Sequence, residues 1–192
     1  MTLHQAMTIG QERTVLHQFA IALVGSVLLT ISAKIAIPFY PVPLTMQTFV
    51  VLGLGLALGP RLGVAAVALY LLQGIAGLPV FSGTPEKGIG IAYMTGPTGG
   101  YLAGYLLAAF VTGHLAERGW DRSVITAFFA ALAGTVADYV PGLLWLGTLV
   151  GWDKPVLAWG LTPFLFGDLA KAGLAAAVFP AVWMWLKKRG IA

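Results

Sequence analysis

Apolar residues dominate the chain in long runs, separated by short stretches rich in glycine, proline and charged residues. Most of these runs approach the ~20 residues with which a helix crosses about 30 Å of hydrocarbon. The pattern predicts an all-α polytopic membrane protein with a single domain over residues 1–192, which begins with a short cytoplasmic segment at about 1–15. The six predicted spans lie at about residues 16–37, 44–58, 62–80, 98–115, 124–150 and 163–186.

The composition supports a membrane location. The chain is 58% hydrophobic and only 9% charged, whereas about 25% of a typical soluble domain is charged. Its 25 glycines suit helices that pack closely inside a bilayer. Because cysteine is absent, disulfide, zinc–thiolate and thiol chemistry are excluded.

The basic residues predict the orientation. With the N-terminus inside the cell, the outer loops hold only Lys87 and Lys154, each next to an acid. Seven of the eleven basic residues then lie on the inner side: Arg13, Arg61, Arg118, Arg122, Lys187, Lys188 and Arg189. Cytoplasmic loops carry such an excess of basic residues. We therefore expect both termini in the cytoplasm and the protein in the cell inner membrane.

Four charged residues fall within the predicted spans. Asp168 and Lys171 lie three residues apart, so they share one face of a helix. Lys34 lies near the outer end of the first span, and Asp138 lies in the middle or outer half of the fifth. Intramembrane charges mark functional sites by default. Their positions favour a pocket open to the outside over a channel through the protein.

Several catalytic motifs are missing. The chain contains no G-x-x-x-x-G-K-[ST] phosphate-binding loop and no G-x-S-x-G nucleophile motif. Its histidines, His4, His17 and His114, lie near predicted inner ends and form no metal site. The sequence therefore predicts neither an enzyme nor a cofactor or a metal.

Residues 37–48 cannot form a continuous helix, because they hold three prolines within six positions. The aromatic pair Phe39 and Tyr40 suits a lid, with Thr45 and Gln47 beneath it. We expect this loop, with Pro41 and Pro43, to act as a gate.

Residues 89–101 form the second non-helical segment. Its glycines allow the backbone to approach a ligand, and free N–H groups at the start of the fourth span could receive a carboxylate. The alternative is a tight outer turn followed by close helix packing through Gly100 and Gly104.

Five motifs resemble those of the BioY family in order and spacing: residues 41–48, 58–63, 77–81, 96–101 and 163–171. The resemblance covers roughly residues 34–177. BioY proteins are biotin-specific substrate-binding (S) components of energy-coupling factor (ECF) transporters. The resemblance implies an S-component-like bundle of six helices with a biotin pocket toward the outer face. It also implies partners, namely a transmembrane coupling protein and two ATPase subunits.

In that family an Asp and a Lys of the sixth helix take part in biotin binding, and they match Asp168 and Lys171. A carboxylate can accept hydrogen bonds from the ureido N–H groups of biotin. An ammonium can bond the ureido oxygen or pair with the ligand's carboxylate. The other candidate pocket residues are Tyr93, Gly96, Thr98, Gly99, Tyr101, Gln47, Thr45, Phe81 and Trp145. A purely structural ion pair is the alternative for Asp168 and Lys171.

Asp138 belongs to none of these motifs. It could pair with Lys34, face a water-filled cavity near Pro141, or contact the ligand. The tryptophans Trp120, Trp152, Trp183 and Trp185 are expected at the membrane interface.

Small residues recur at four-residue spacing on the first span. A small-xxx-small surface suits a contact with the coupling protein or, equally, packing within the chain. The residues concerned are Ala22, Ser26, Ser32 and Ala36.

A second class of function is an autonomous, proton-coupled secondary transporter of biotin or another small carboxylate, with Asp138 or Asp168 as its proton site. The short chain and the lack of an internal inverted repeat disfavour it. An intramembrane enzyme is disfavoured by the missing catalytic constellation.

Overall fold

The computed structural model describes residues 1–8 and 14–191. Arg13, one of the basic residues predicted on the inner side, lies outside the described residues. Two 3-10 turns, Trp120–Arg122 and Thr162–Phe164, precede longer helices. The α-helices are α1 (Leu3–Met7), α2 (Val15–Lys34), α3 (Gln47–Ile75), α4 (Gly90–Met94), α5 (Gly99–Glu117), α6 (Val124–Val150), α7 (Val156–Gly160) and α8 (Leu165–Lys188).

The all-α prediction needs one small correction. Two-residue strands β1 (Ala36–Ile37) and β2 (Leu44–Thr45) pair antiparallel within the first proline-rich segment, with Ala36 opposite Thr45. They form a short hairpin between α2 and α3. The predicted non-helical character of this segment is confirmed.

Helix α3 contains two of the predicted spans and breaks between them. Gly59 has φ +83° and ψ 177°, in a region of backbone conformation that L side chains rarely adopt. Pro60 follows it and begins the second arm, where its missing N–H leaves no hydrogen bond unmade. The second arm ends at Ile75, five residues before the predicted boundary.

Four helical segments are long and apolar enough to cross a membrane: Val15–Lys34, Gln47–Ile75, Val124–Val150 and Val156–Lys188. Helix α5 covers the predicted fourth span but is not among the four. Its glycines, tyrosines and His114 lower its hydropathy. The predicted spans thus correspond to helices, while the number of membrane crossings stays a prediction.

Close packing through glycine places α5 between α3 and α6. A Cβ at Gly55 would lie 2.6 Å from the carbonyl oxygen of Ala109. A Cβ at Gly104 would lie 2.6 Å from the carbonyl oxygen of Asp138 and would collide with its Oδ1. Gly100 meets α6 in the same way, at Pro141. The glycine spacing on α5 therefore serves helix packing.

The small residues of α2 face the interior. Ala22, Ser26 and Ser32 are buried, and a Cβ at Gly25 would lie 2.8 Å from the Cβ of Ala66 on α3. In this structure these three residues pack inside the bundle, so their side chains are not accessible to a partner. Ala36 is exposed but lies in β1. The open face of α2 instead carries large apolar residues: Leu23, Val24, Val27, Leu28 and Ile31.

Both described chain ends lie at the end of the bundle opposite the hairpin, here called the termini end. Trp183 was expected at the membrane interface, but it is 2% exposed, and its Nε1 donates a hydrogen bond to Oδ2 of Asp121. The Arg122 guanidinium stacks 4.6 Å from the Trp183 ring centroid and donates to the carbonyl oxygen of Met1. These contacts tie the chain start, the loop before α6 and the end of α8 together.

Candidate ligand-binding site

An ion pair lies on α8 at the hairpin end of the bundle. Lys171 Nζ is 2.9 Å from Asp168 Oδ1, and each residue is 6% exposed. The three-residue spacing places both side chains on one face of the helix, as the sequence predicts. Burial of both charges makes this pair the polar centre of the bundle.

Two other helices complete the hydrogen bonding of this pair. Lys171 Nζ donates to Thr48 Oγ1 of α3 at 2.8 Å. The hydroxyl of Tyr139 on α6 donates to Asp168 Oδ2. Both carboxylate oxygens of Asp168 therefore have a partner, and the pair joins α3, α6 and α8.

Three small neighbouring cavities lie beneath the hairpin, and one of them adjoins the ion pair. The first, about 40 Å³, reaches Asp168 and Lys171. A second, about 30 Å³, shares with it the side chains of Tyr101 and Tyr105. A third, about 100 Å³, opens toward Pro41 and Lys87. The three cavities share lining residues and are here together called the pocket. Its lining is Pro41, Val42, Pro43, Thr45, Gln47, Thr48, Ser82, Lys87, Ala92, Tyr93, Gly96, Pro97, Thr98, Tyr101, Leu102, Tyr105, Asp138, Tyr139, Phe164, Asp168 and Lys171.

Tyrosines fixed by backbone acceptors form the pocket walls. Tyr93 donates to the carbonyl oxygen of Ser82 at 2.7 Å, and Tyr101 donates to that of Gly160 at 2.8 Å. Phe81 is fully buried behind Tyr93, and their stacked rings have centroids 5.0 Å apart. Phe81 therefore supports the wall from behind.

Gln47 and Thr45 lie at the start of α3. Gln47 Nε2 donates to the Tyr70 hydroxyl at 2.6 Å, and that hydroxyl donates to the carbonyl oxygen of Val80 at 3.2 Å. Thr45 Oγ1 accepts from the Gln47 backbone N–H at 3.3 Å. This network holds Thr45 and Gln47 in place at the edge of the pocket next to the hairpin.

The hairpin covers the pocket with a different pair of residues from the one the sequence favours. Val42 and Pro43 line the cavities. Phe39 is 46% exposed and Tyr40 is 89% exposed, so neither covers Thr45 and Gln47 in this conformation.

Besides Phe81, two further sequence candidates lie outside the pocket. Trp145 and Gly99 border a shallow apolar groove between α5 and α6. Trp145 is 38% exposed, and its Nε1 donates to the carbonyl oxygen of Gly96 at 2.9 Å. Trp145 thus fixes the turn before α5 from outside.

The suggested pairing of Asp138 with Lys34 is wrong. Lys34 Nζ donates to the carbonyl oxygens of Pro79, Phe81 and Thr84 at 2.9, 3.0 and 3.2 Å. Lys34 therefore organises the loop that precedes α4, while Asp138 lies in the pocket.

Sequence reasoning did not select several polar pocket residues, among them Tyr139, Thr48 and Tyr105. Tyr139 follows Asp138 directly, and Thr48 closes the first motif; Tyr105 lies one turn after Tyr101 on the same helix. Proximity to a selected residue was the only available signal. Among the described residues, no group of three His, Cys, Asp or Glu could hold a metal ion.

The fold and the pocket define a multi-pass membrane protein with an enclosed polar and aromatic site between its helices. A solved structure described as the S-component for biotin from an ECF-type ABC transporter has the same fold. Its TM-score is 0.72 at 25% identity, and the match covers 88% of this chain and 92% of that one.

Sequence comparison identifies the family. A sequence model of the BioY family matches residues 4–188, so the chain belongs to the BioY family. A relative from Thermotoga maritima named "Biotin transporter BioY" is 40% identical over 151 residues, 79% of this chain and 86% of the relative. A "Probable biotin transporter BioY" from Pyrococcus horikoshii is 37% identical with the same coverage. The resemblance to BioY proteins is confirmed, and these names are those of transporters, not enzymes.

Proposed function

We propose that this protein binds biotin and acts as the biotin-specific S component of an ECF transporter. Membership of the BioY family, the names of its relatives and the S-component fold support this function. The observation that carries it in this chain is the buried Asp168–Lys171 pair facing a pocket with tyrosine walls.

The groups in the pocket match the chemistry of biotin. Asp168 accepts hydrogen bonds from ureido N–H groups, and Lys171 donates to the ureido oxygen or to the carboxylate. Hydrogen bonds that involve a charged group are roughly twice as strong as neutral ones. Tyr93 and Tyr101 offer flat surfaces to the apolar bicycle, with Thr45, Gln47, Gly96 and Thr98 at the pocket edge.

Ligand entry requires the hairpin to move. A cavity of about 40 Å³ beside the ion pair holds only one or a few waters. Val42 and Pro43 belong to the turn that connects β1 and β2, and both line that cavity. Lifting residues 38–43 enlarges the pocket, so this segment is the gate in our proposal, with Phe39, Tyr40 and Pro41 on its outer side.

We place the protein in the cell inner membrane with six spans, counting the two arms of α3 separately. Both termini are then cytoplasmic, and the pocket faces outward. Because the sequence lacks a phosphate-binding loop, ATP hydrolysis is assigned to two partner ATPases through a transmembrane coupling protein. The exposed large apolar residues of α2 are one surface open to that coupling protein or to lipid.

Calorimetric titration of the purified protein in detergent with biotin tests the proposal. We expect tight, stoichiometric binding by the wild type and at least a hundredfold loss in Asp168→Asn and Lys171→Met. Lys154→Met is the matched control, because Lys154 belongs to an exposed ion pair with Asp153. Folded wild-type protein without biotin binding would refute the function. Binding that survives both pocket substitutions would reduce the pair to a structural role.

A further inference from the structure

Asp138 is a second acid in the pocket, and the Asp168–Lys171 pair does not use it. It lies on α6, is 3% exposed and lines the same cavity as Asp168 and Lys171. Its Oδ1 is buried and has no hydrogen-bond partner in the protein. It also lies outside the five motifs that resemble those of the family.

The two lysines that lie within the predicted spans are already committed. Lys171 bonds Asp168 and Thr48. Lys34 donates to oxygens of the loop before α4. Asp138 is therefore the buried acid of the pocket that lacks a counter-charge of its own.

The neutral groups around Asp138 are also mostly committed. The Tyr101 hydroxyl donates to Gly160, and the Tyr139 hydroxyl donates to Asp168. Tyr105 borders the same cavity from α5. A buried acceptor without a donor is costly, so such a group calls for a partner from outside the protein fold.

The packing holds the Asp138 side chain in this position. A Cβ at Gly104 would collide with Asp138 Oδ1, so the carboxyl lies directly against the α5 backbone where only glycine leaves room. Separately, Asp138 on α6 and Asp168 on α8 both line the same cavity.

We propose that Asp138 is a second ligand-binding residue, which accepts a hydrogen bond from one N–H of the cyclic urea while Asp168 accepts from the other. A cyclic urea carries two N–H donors that point away from each other across its ring. Two carboxyl groups on different helices around one cavity suit that arrangement. The inference rests on the proposed function, because it concerns the same pocket and ligand.

The test combines one substitution with one change in the ligand. Biotin and its two ureido N-methyl derivatives are titrated into the wild type, Asp138→Ala and Asp168→Asn. We expect Asp138→Ala to weaken biotin binding about ten- to hundredfold, because a ligand N–H is then buried without its acceptor. One N-methyl isomer should bind the wild type poorly, and its penalty relative to biotin should shrink at least tenfold in Asp138→Ala. The penalty of the other isomer, whose methyl group faces Asp168, should stay unchanged in Asp138→Ala.

A purely structural role for Asp138 would lower the affinity for all three ligands by the same factor, and that result would overturn the inference. So would Asp138→Ala binding biotin within twofold of the wild type. If Asp138→Ala does not fold, Asp138→Leu keeps most of the side-chain volume without an acceptor, and the same selectivity change is required of it. Loss of binding in Asp168→Asn without any effect at Asp138 would defeat this inference alone. No binding of biotin by folded wild-type protein would defeat the proposed function as well.

Discussion

Two buried aspartates lie at opposite ends of the bundle and have different surroundings. Asp168 accepts from Lys171 and Tyr139 and borders a cavity beneath the hairpin. Asp121 is fully buried and accepts from the indole of Trp183. Burial of an acid alone therefore does not distinguish a ligand site from a structural contact. The surroundings do so, because polar groups beside open space can exchange partners with a ligand.

The two ends also use their contacts differently. The pocket draws side chains from the hairpin, α3, α5, α6 and α8 toward one space. The termini end ties the start of the chain, the loop before α6 and α8 through Asp121, Arg122 and Trp183. Substitutions at the pocket should change binding, and substitutions at the termini end should change stability alone.

The largest effect is expected from Lys171→Met. It leaves the Asp168 charge buried without its cation, and breaking a buried pair in this way costs about 3–5 kcal/mol. We expect a strongly lowered unfolding temperature in detergent together with loss of biotin binding. The double variant Asp168→Asn/Lys171→Met should recover most of the stability but not the binding.

The matched control for that experiment is Lys154→Met, which breaks the exposed pair with Asp153. Exposed pairs contribute about 0–1 kcal/mol. Equal unfolding temperatures for Lys171→Met and Lys154→Met would show that the buried pair stabilises the fold no more than the exposed pair does.

The second effect concerns the termini end. Trp183→Phe removes the N–H that donates to Asp121, and leaving a buried acceptor without its donor costs about 1–3 kcal/mol. Thermal unfolding should show this loss, while the biotin dissociation constant stays within about twofold of the wild type.

Trp185→Phe is the control for this substitution, because Trp185 is 49% exposed on the same helix and Arg189 stacks on it. Its expected change is below about 0.5 kcal/mol. If Trp183→Phe weakened biotin binding as strongly as a pocket substitution, the proposed separation of the two ends would be wrong.

A third effect, of similar size, is expected where α5 meets α6. Gly104→Ala forces the two helices apart at Asp138, and overpacking of this kind costs about 1–3 kcal/mol. Because Asp138 moves with α6, biotin affinity should fall together with stability. Gly173→Ala is the matched control: no atom lies within 4 Å of its added Cβ, and alanine in a helix gains about 0.5–1 kcal/mol. Similar stability changes for both variants would contradict this packing argument.

The smallest effect is a pH dependence at the termini end. Burial raises the pKa of the Asp121 carboxyl, while the Trp183 hydrogen bond and the Arg122 charge offset part of the increase. A raised folded pKa means that the contribution of Asp121 to stability is complete below its unfolded pKa, near 4, and is lost as pH rises through the folded value.

Asp121→Asn keeps an oxygen that can accept from Trp183 and removes the charge. The stability of this variant relative to the wild type should therefore increase as the pH rises from about 4 toward neutrality. Unfolding temperatures measured across that range, with the exposed Asp153→Asn as control, test the sign. A constant difference between Asp121→Asn and the wild type would refute it.

Local sequence determined much of the site. The three-residue spacing of Asp168 and Lys171 placed both on one helix face, and three prolines excluded a helix before α3. Gly59 and Pro60 together separated two helical arms. Family motifs then connected these features to BioY proteins, a resemblance that the comparisons confirm.

Partners that are distant along the chain could not be deduced in this way. Thr48 and Tyr139 reach the ion pair from 123 and 29 residues away. Lys34 donates to main-chain carbonyl oxygens of a loop. The sequence suggested the acid Asp138 as its partner instead. Main-chain acceptors leave no signature in the sequence, so such a contact becomes visible only when the helices are packed.

The sequence by itself determined which segments are apolar helices, where they break, and which charges lie among them. The tertiary structure decided which face of each helix points inward, so that Trp183 is buried, Trp145 borders an open groove and the small residues of α2 meet α3. The physical reason is that a helix in a bilayer is apolar on its lipid face and on its packed face alike. Hydrophobic periodicity then no longer separates inside from outside, and only the fit of neighbouring helices does.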